Sequence, residues 1–203
     1  VLVKDISQFS GIHREEKIIV CGCGQSLKEF ESYHSKVITI GVNDVPLLFT
    51  PTYLLVTDHL SRFSEKRKKI INESSSKHLF TNTKGWRHPS IVHFQLGTRG
   101  VTNLDNPRLV DHYMNSPFVG VNIAYKMGST NIAIIGVDFT DGHFYAPKDG
   151  PHNLTRSHFK TVNQGYGLLL DRLKKRGVGF YNLSQESKLT TVPKMGIEKF
   201  LEL

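Results

Sequence analysis

Cysteine is almost absent from this chain: its 203 residues include two, Cys21 and Cys23, one residue apart. Thiols so close in sequence cannot build a disulfide framework, which predicts a reduced setting and a fold held by its own core. No apolar run reaches 18 residues, so no hydrophobic spanning helix is expected. Residues 1–9 lack the charged and apolar regions of a signal peptide, and the expectation is a soluble, cytoplasmic protein. No internal repeat and no low-complexity segment interrupts the pattern. Acidic residues are in deficit, 18 against 26 Lys plus Arg, for a net charge of +8. A basic surface attracts polyanions such as nucleic acid, anionic glycans, nucleotides or membrane headgroups, and does not choose among them. The clusters Lys66-Arg67-Lys68-Lys69 and Lys174-Lys175-Arg176 read first as solvated faces, the second closing a helix before Gly177, where cations complement the helix dipole.

What is present is enough apolar material, 38% of residues, for one three-layer domain over residues 1–203. Strand and helix signals alternate. Strands are predicted at 17–21, 37–41, 53–57, 78–81 and 91–94, helices at 26–33 and 59–72, and a long Gly, Thr, Asn and Pro loop at 95–109 that covers a binding site. Ser116-Pro117 reads as a helix start, a hydroxyl cap followed by proline at the first helical position, where the missing N–H costs nothing. Val119, Ile123, Ala124 and Met127 then share one helical face, and Gly128 is a left-handed stop. Ile132-Ala133-Ile134-Ile135 reads as a buried parallel strand ending at Gly136-Val137-Asp138-Phe139. This order predicts an α/β fold, a Rossmann-like three-layer domain with a mostly parallel sheet. A helix packed against its following strand runs antiparallel to it. Ser116 and Asp138 are therefore expected on one edge, where open α/β sheets bind ligands.

Other polar groups converge on that edge. The first strand-to-helix turn is Cys21-Gly22-Cys23-Gly24-Gln25-Ser26; Gly22 and Gly24 let backbone approach a ligand, and Ser26 caps a helix whose free N–H groups favour phosphate. The turn lacks the third glycine of a dinucleotide fingerprint and the Lys-Ser/Thr of a P-loop, and a tight turn without ligand reads it as well. Asn43 and Asp58 follow the next two strands, where capping of the turns is the plainer role. A helix beginning near Ser157, marked by Phe159, Val162, Tyr166, Leu169, Leu170 and Leu173, puts His158 in its first turn. A helix N-terminus disfavours imidazolium, which leaves a neutral ring able to take a proton.

Gly22 to Lys28, Asn43, Asn115-Ser116 and Gly136-Val137-Asp138-Phe139, followed by a late histidine, resemble the bacterial sialyltransferases of glycosyltransferase family forty-two. They also resemble the related domain of flagellin-modifying glycosyltransferases and of an archaeal hydroxymethylpterin diphosphokinase. The resemblance spans residue 18 to about residue 189, in short motifs. It implies that Gly22, Cys23, Gly24 and Ser26 hold the nucleotide phosphates, and that Asn43, Asp58, Asn115, Ser116 and Asp138 complete the donor site. It further implies that His158, within Ser157-His158-Phe159-Lys160, is the catalytic base, and that Tyr145 is the best match for tyrosines around the leaving phosphate. The departures are Cys23 and Asp58, each in place of asparagine, and Pro117 in place of a glycine that accommodates the donor carboxylate. Proline has no N–H to donate, so the sequence argues against a sialic acid donor.

His152 is the rival base, in the loop 140–156. Asp138, Asp141 and His143 have a spacing that could hold a divalent metal, though turns without metal are commoner and the resembled sialyltransferases need none. Arg156 and Arg99 are candidate cations for the leaving phosphate. The sequence thus favours a glycosyltransferase that moves a sugar from a nucleotide-sugar donor to an acceptor hydroxyl, on a glycan or a hydroxylated DNA base, with no required metal. The alternatives are a Mg2+-dependent diphosphokinase acting on a small hydroxymethyl compound, and a non-catalytic nucleic-acid-binding protein. DNA as a partner, Mg2+ and homo-oligomerisation stay open.

Overall fold

The computed structural model describes residues 4–140, 142–145 and 156–203, with backbone only for Lys4 and Arg156. Asp141 and His152 lie outside the described residues, as does the side chain of Arg156. The described strands, in chain order, are β1 (Lys4–Asp5), β2 (Lys17–Cys21), β3 (Ile38–Val42), β4 (Tyr53–Val56), β5 (His78–Thr81), β6 (Ile91–His93), β7 (Gln95–Arg99), β8 (Leu109–His112), β9 (Asn131–Ile135) and β10 (Gly179–Asn182). The helices are α1 (Leu27–Phe30), α2 (Glu65–Asn72), α3 (Ser116–Lys126), α4 (Arg156–Lys174) and α5 (Ile197–Glu202). Eight strands form one sheet in the order β1-β6-β5-β4-β3-β2-β9-β10. Every pairing in it is parallel. The fold is α/β and Rossmann-like, as the alternating pattern predicts.

Successive side chains of the strands are buried on opposite faces, which divides the core into layers. Ile18 and Val20 of β2 and Ile132 and Ile134 of β9 face Val119, Ile123 and Met127 of α3 and Val162, Tyr166 and Leu169 of α4. Ile19, Cys21, Ala133 and Ile135 point the other way, onto Leu27 and Phe30 of α1 and Phe200 of α5. Farther along that second face, Leu54 and Val56 pack with Phe63, Ile71 and Trp86. Strands buried on both faces explain the near-continuous apolar runs of the central sequence segments.

The strand order reverses at β2, which has β3 on one side and β9 on the other. Such a switch point leaves a crevice at the carboxyl ends of the two diverging strands. Two neighbouring turns, after β2 and after β9, therefore define where a ligand can enter.

Three local expectations are corrected. The segment 95–109 is not all loop: Gln95–Arg99 pairs in parallel with Leu109–His112 as a separate two-stranded sheet. Apart from Val110 and Asp111 its residues are exposed or half-exposed, so no apolar alternation announced it. The helix expected over 59–72 starts at Glu65, capped by the Ser64 hydroxyl, which accepts from Arg67 N–H at 3.4 Å. The α3 cap is Asn115 rather than Ser116, with extended backbone at φ −148° and ψ 123°, and Pro117 falls one position later than expected. Gly128 does stop the helix in the left-handed region, at φ 94°.

The loop between β7 and β8 is tied down by one lysine. Lys126 is buried, and its Nζ donates to the carbonyls of Asn103 at 3.0 Å, Leu104 at 2.7 Å and Asn106 at 2.7 Å. Burial pulls its pKa down to about 8, against the opposing pull of Asp111 and Asp105. It is thus still an ammonium at neutral pH, with one proton for each carbonyl. Lys126→Met is expected to strand three inward-facing carbonyls and cost about 2–4 kcal/mol, read as a lower urea midpoint; a midpoint equal to the parent's would show that the loop does not depend on this lysine.

Candidate functional site

The crevice at the switch point is a cleft of about 760 Å³, a volume suited to a small-molecule ligand. Its floor is the two turns after β2 and β9, bound to each other. Gly22 N–H donates to Ile135 O at 2.7 Å and Gly24 N–H to Gly136 O at 2.8 Å. The buried Asp138 carboxylate accepts the Ser26 N–H at 2.9 Å and the Ser26 hydroxyl at 2.5 Å. Ser184 Oγ lies 2.6 Å from Ser26 Oγ, and Gly136 N–H donates to Ser26 Oγ at 3.0 Å. A Cβ on Gly24 would stand 2.5 Å from Asp138 Oδ2, and one on Gly22 would overlap the Gly136 carbonyl oxygen. Both glycines are therefore required by the neighbouring turn. The amides of Gly22, Gly24 and Ser26 are spent inside the protein, and Ser26 does not cap α1 with its side chain.

Over this floor runs the segment 142–145. Phe144 N–H donates to Cys23 O at 2.9 Å, and Gln25 Nε2 to His143 O at 2.6 Å. Phe144 is buried, which leaves the stacked rings of His143 and Tyr145, 5.1 Å apart, on the cleft. Tyr145 OH donates to Asp44 Oδ2 at 3.1 Å. Asp44 is itself buried and paired with Arg67 of α2 through Nε at 2.7 Å and Nη2 at 2.5 Å, a bidentate geometry. Burial and then the Asp44 charge hold the Tyr145 hydroxyl well above its ordinary range. Burial pushes the Cys23 thiol up to about 12, so it is not a thiolate nucleophile.

The far wall joins β4 to α3. Ser116 Oγ lies 2.6 Å from Thr57 Oγ1. Asp58 meets Asn43 Nδ2 at 3.4 Å and Arg62 Nη1 at 3.5 Å. Asn115 Oδ1 accepts from the buried Tyr166 OH at 2.6 Å, tying the start of α3 to α4. His158, in the first turn of α4, also lines the cleft. Three residues other than glycine on its wall hold left-handed backbone: Asn43 at φ 53°, Met114 at φ 58° and Phe139 at φ 53°. Such conformations are costly for a methionine or phenylalanine, and they persist where surrounding structure enforces them, often at ligand sites.

Gly22, Cys23, Gly24, Asn43, Asp58, Asn115, Ser116, Asp138, Tyr145 and His158 thus share one cleft. Ser26 lies beneath the floor, bonded to Asp138. Arg99 is not on the wall but sits over the Tyr113 ring, 5.3 Å from its centroid. Among the described residues no three His, Cys, Asp or Glu side chains cluster for a metal; of the trio considered above, Asp141 is not described and Asp138 is engaged by Ser26. Missed by the sequence reading were Arg62 and Arg67; Asp44, next to Asn43 after β3, lies on the ligand edge as that position predicts, but its pairing with Arg67 was not foreseen. The signal for Arg67 lay in the basic cluster, where it reaches the buried Asp44 carboxylate while Lys68 pairs with Glu65 of the same helix.

No family model matches the chain, and no curated protein sequence does. Solved structures do match. The MAf glycosyltransferase from Magnetospirillum magneticum AMB-1 superposes with a TM-score of 0.60 over 94% of this chain, at 10% identity, and this chain spans 37% of its length. The sialyltransferase CstII from Campylobacter jejuni, in complex with the substrate analogue cytidine-5'-monophosphate, superposes with a TM-score of 0.51 at 14% identity over 90% of this chain and 85% of its own. The chain has a glycosyltransferase-like fold. At these identities the likeness concerns the fold alone. Among the described residues, no helix is long and apolar enough to cross a membrane.

Because Asp138 is a clamp and not an open wall group, Asp138→Ala is expected to lower stability by about 3 kcal/mol, a melting-temperature drop of roughly 6–12 °C. A melting temperature within 2 °C or so of the parent would mean that the two turns hold together without it.

Proposed function

We propose that the chain is a nucleotide-sugar glycosyltransferase whose donor lies in the cleft at the strand switch point. The observation that carries this reading is the convergence, in a glycosyltransferase-like fold, of the clamped turns, the left-handed Asn43, Met114 and Phe139, and His158 on one cleft. That CstII, with a comparable fold, was captured with cytidine-5'-monophosphate supports a nucleotide in such a crevice.

The clamp changes how phosphate would be held. With the amides of Gly22, Gly24 and Ser26 already bonded, the turn sets the shape of the floor and a cation on the wall carries the charge. Arg62 is 75% exposed and held by one 3.5 Å contact to Asp58, so it can swing to a phosphate at little cost. Arg67 is neutralised by its bidentate pair with Asp44, which leaves Arg62 as the cation free to meet a phosphate. His158 at the start of α4 would take the proton of the acceptor hydroxyl as that oxygen attacks the anomeric carbon, while the sugar–phosphate bond breaks and the nucleotide leaves with its electron pair. The acceptor is the hydroxyl of a glycan or of a hydroxylated base in DNA; a metal ion is not required in this reaction.

Steady-state kinetics on His158→Ala test the assignment. Donor affinity should stay nearly unchanged while turnover falls about 100-fold to 10,000-fold, the usual worth of a positioned base. In the parent, activity should survive EDTA. Turnover within a few-fold of the parent would remove His158 from the reaction.

A further inference from the structure

The net charge of the chain is concentrated in one place. Residues 58–90 hold eight of the 26 Lys and Arg but three of the 18 Asp and Glu, which is +5 of the net +8. They make up the turn after β4, then α2, β5 and the segment from β5 to β6, neighbouring elements on one half of the sheet.

Contacts join these residues into one surface. The segment 82–88 runs back along α2: a Cβ on Gly85 would stand 3.3 Å from Leu60, and the Trp86 ring meets Phe63 edge-on at 5.2 Å. At the far end Arg87 N–H donates to Asn72 Oδ1 at 2.8 Å, in the last turn of α2. Exposed Lys84 and Arg87 therefore flank the exposed Lys66 and Lys69, which are three residues apart on the helix. The acids of the region are few: Glu65 is paired with Lys68, Asp58 contacts Arg62, and Glu73 is exposed after the helix. Among the described residues Lys66, Lys69, Lys84 and Arg87 make no ion pair. The surface begins at the cleft, since Arg62 is one of the cleft's lining residues.

What the surface lacks selects among polyanions. Its Phe63, Phe80 and Trp86 are buried, so no large ring is offered to stack on unpaired bases or sugar rings. The exposed large apolar side chains Ile12, Leu47, Met114, Tyr145, Leu168 and Leu203 all lie outside it, so it has no apolar anchor for a membrane. A nucleic-acid duplex keeps its bases stacked inside and presents phosphates, which Lys and Arg meet without rings.

We propose that this face, Lys66 and Lys69 of α2 with Lys84 and Arg87, holds the phosphates of duplex DNA, and that the duplex carries the acceptor hydroxyl. The acceptor role rests on the transferase reading above; the binding does not. The acceptor base leaves the stack to enter the cleft beside Arg62. Its hydroxyl oxygen bonds to the anomeric carbon, its proton goes to His158, and the nucleotide leaves with the electron pair of the broken sugar–phosphate bond.

The test is fluorescence anisotropy of the full chain with a labelled DNA duplex of about 24 base pairs, over roughly 0.05 to 0.2 M NaCl. The parent should bind in the micromolar range at low salt and lose affinity linearly in log salt. Lys69→Gln/Lys84→Gln/Arg87→Gln should weaken binding about 10-fold or more and lower the salt slope by about 2 to 3. The same charge change far away, Lys174→Gln/Lys175→Gln/Lys199→Gln at the end of α4 and on α5, should weaken it less than about 3-fold. All six side chains are exposed, so both variants should keep the fold. Equal losses in the two variants, no duplex binding at the lowest salt, or tighter binding of a single strand, of heparin or of phosphatidylserine vesicles would overturn the proposal. Hydrogen–deuterium exchange of the parent decides it without a variant: the duplex should slow exchange at 65–73 and 82–88, and protection only elsewhere would overturn it. Titrating nucleotides into the same samples separates the two readings. Nucleotide binding without duplex binding removes the DNA acceptor and leaves the transferase; duplex binding with no nucleotide bound removes the transferase reading and the acceptor role with it.

Discussion

The contact that the rest of the cleft depends on is the closure of the turn after β2 onto the turn after β9. Parallel strands on either side of a switch point diverge at their carboxyl ends, and the gap between them is filled by whatever follows each strand. Here the two turns fill it with each other. Asp138 accepts two hydrogen bonds from Ser26, Gly136 packs on Gly22 and Gly24, and a methyl group on either of those glycines would not fit. The result is a rigid floor with no polar backbone left over at three of its positions. On the reading proposed above, ligand recognition falls to the walls, to Asn43, Asp58 and Arg62.

Rigidity spreads from this floor by specific bonds. Phe144 and Gln25 bring the His143 and Tyr145 rings over the turn, and Tyr145 meets Asp44, which Arg67 holds from α2. On the other side Tyr166 ties α4 to Asn115 at the start of α3, so His158 is positioned relative to the same wall. The Asp44 carboxylate is the centre of one of these arms: buried, and satisfied by Arg67 and Tyr145 together. Removing one partner of such an arrangement leaves a charge uncompensated, which is why the basic cluster on α2 is not a uniformly solvated face.

Much of the fold is legible in the sequence because its strands are buried on both faces and its helices on one. The 17–21 and 78–81 strands fall where their apolar runs do, and the Ser116 and Asp138 edge follows from the helix-to-strand geometry alone. What was not legible depends on distant partners. The β7–β8 pair has no alternation, and β10 is short. Ser26, a plausible cap by sequence, is drawn away by Asp138 across 112 positions of chain. Gly22 and Gly24 were legible as glycines that something must approach, and the structure shows Gly136 and Asp138 standing against them. Arg67 was hidden among like charges, since the direction in which one side chain of a helix turns is set by the buried acid it meets.

The central claim is that a nucleotide binds at the switch-point edge. Hydrogen–deuterium exchange of the full chain, with and without saturating CMP, UDP, GDP or ATP, locates binding without assuming its chemistry. The account predicts that one of these slows exchange at residues 42–44, 57–62 and 114–118 together, the wall segments of the cleft. Unchanged exchange with every nucleotide would contradict it. So would protection confined to the second open cavity, which includes Lys36, Thr52 and Lys77.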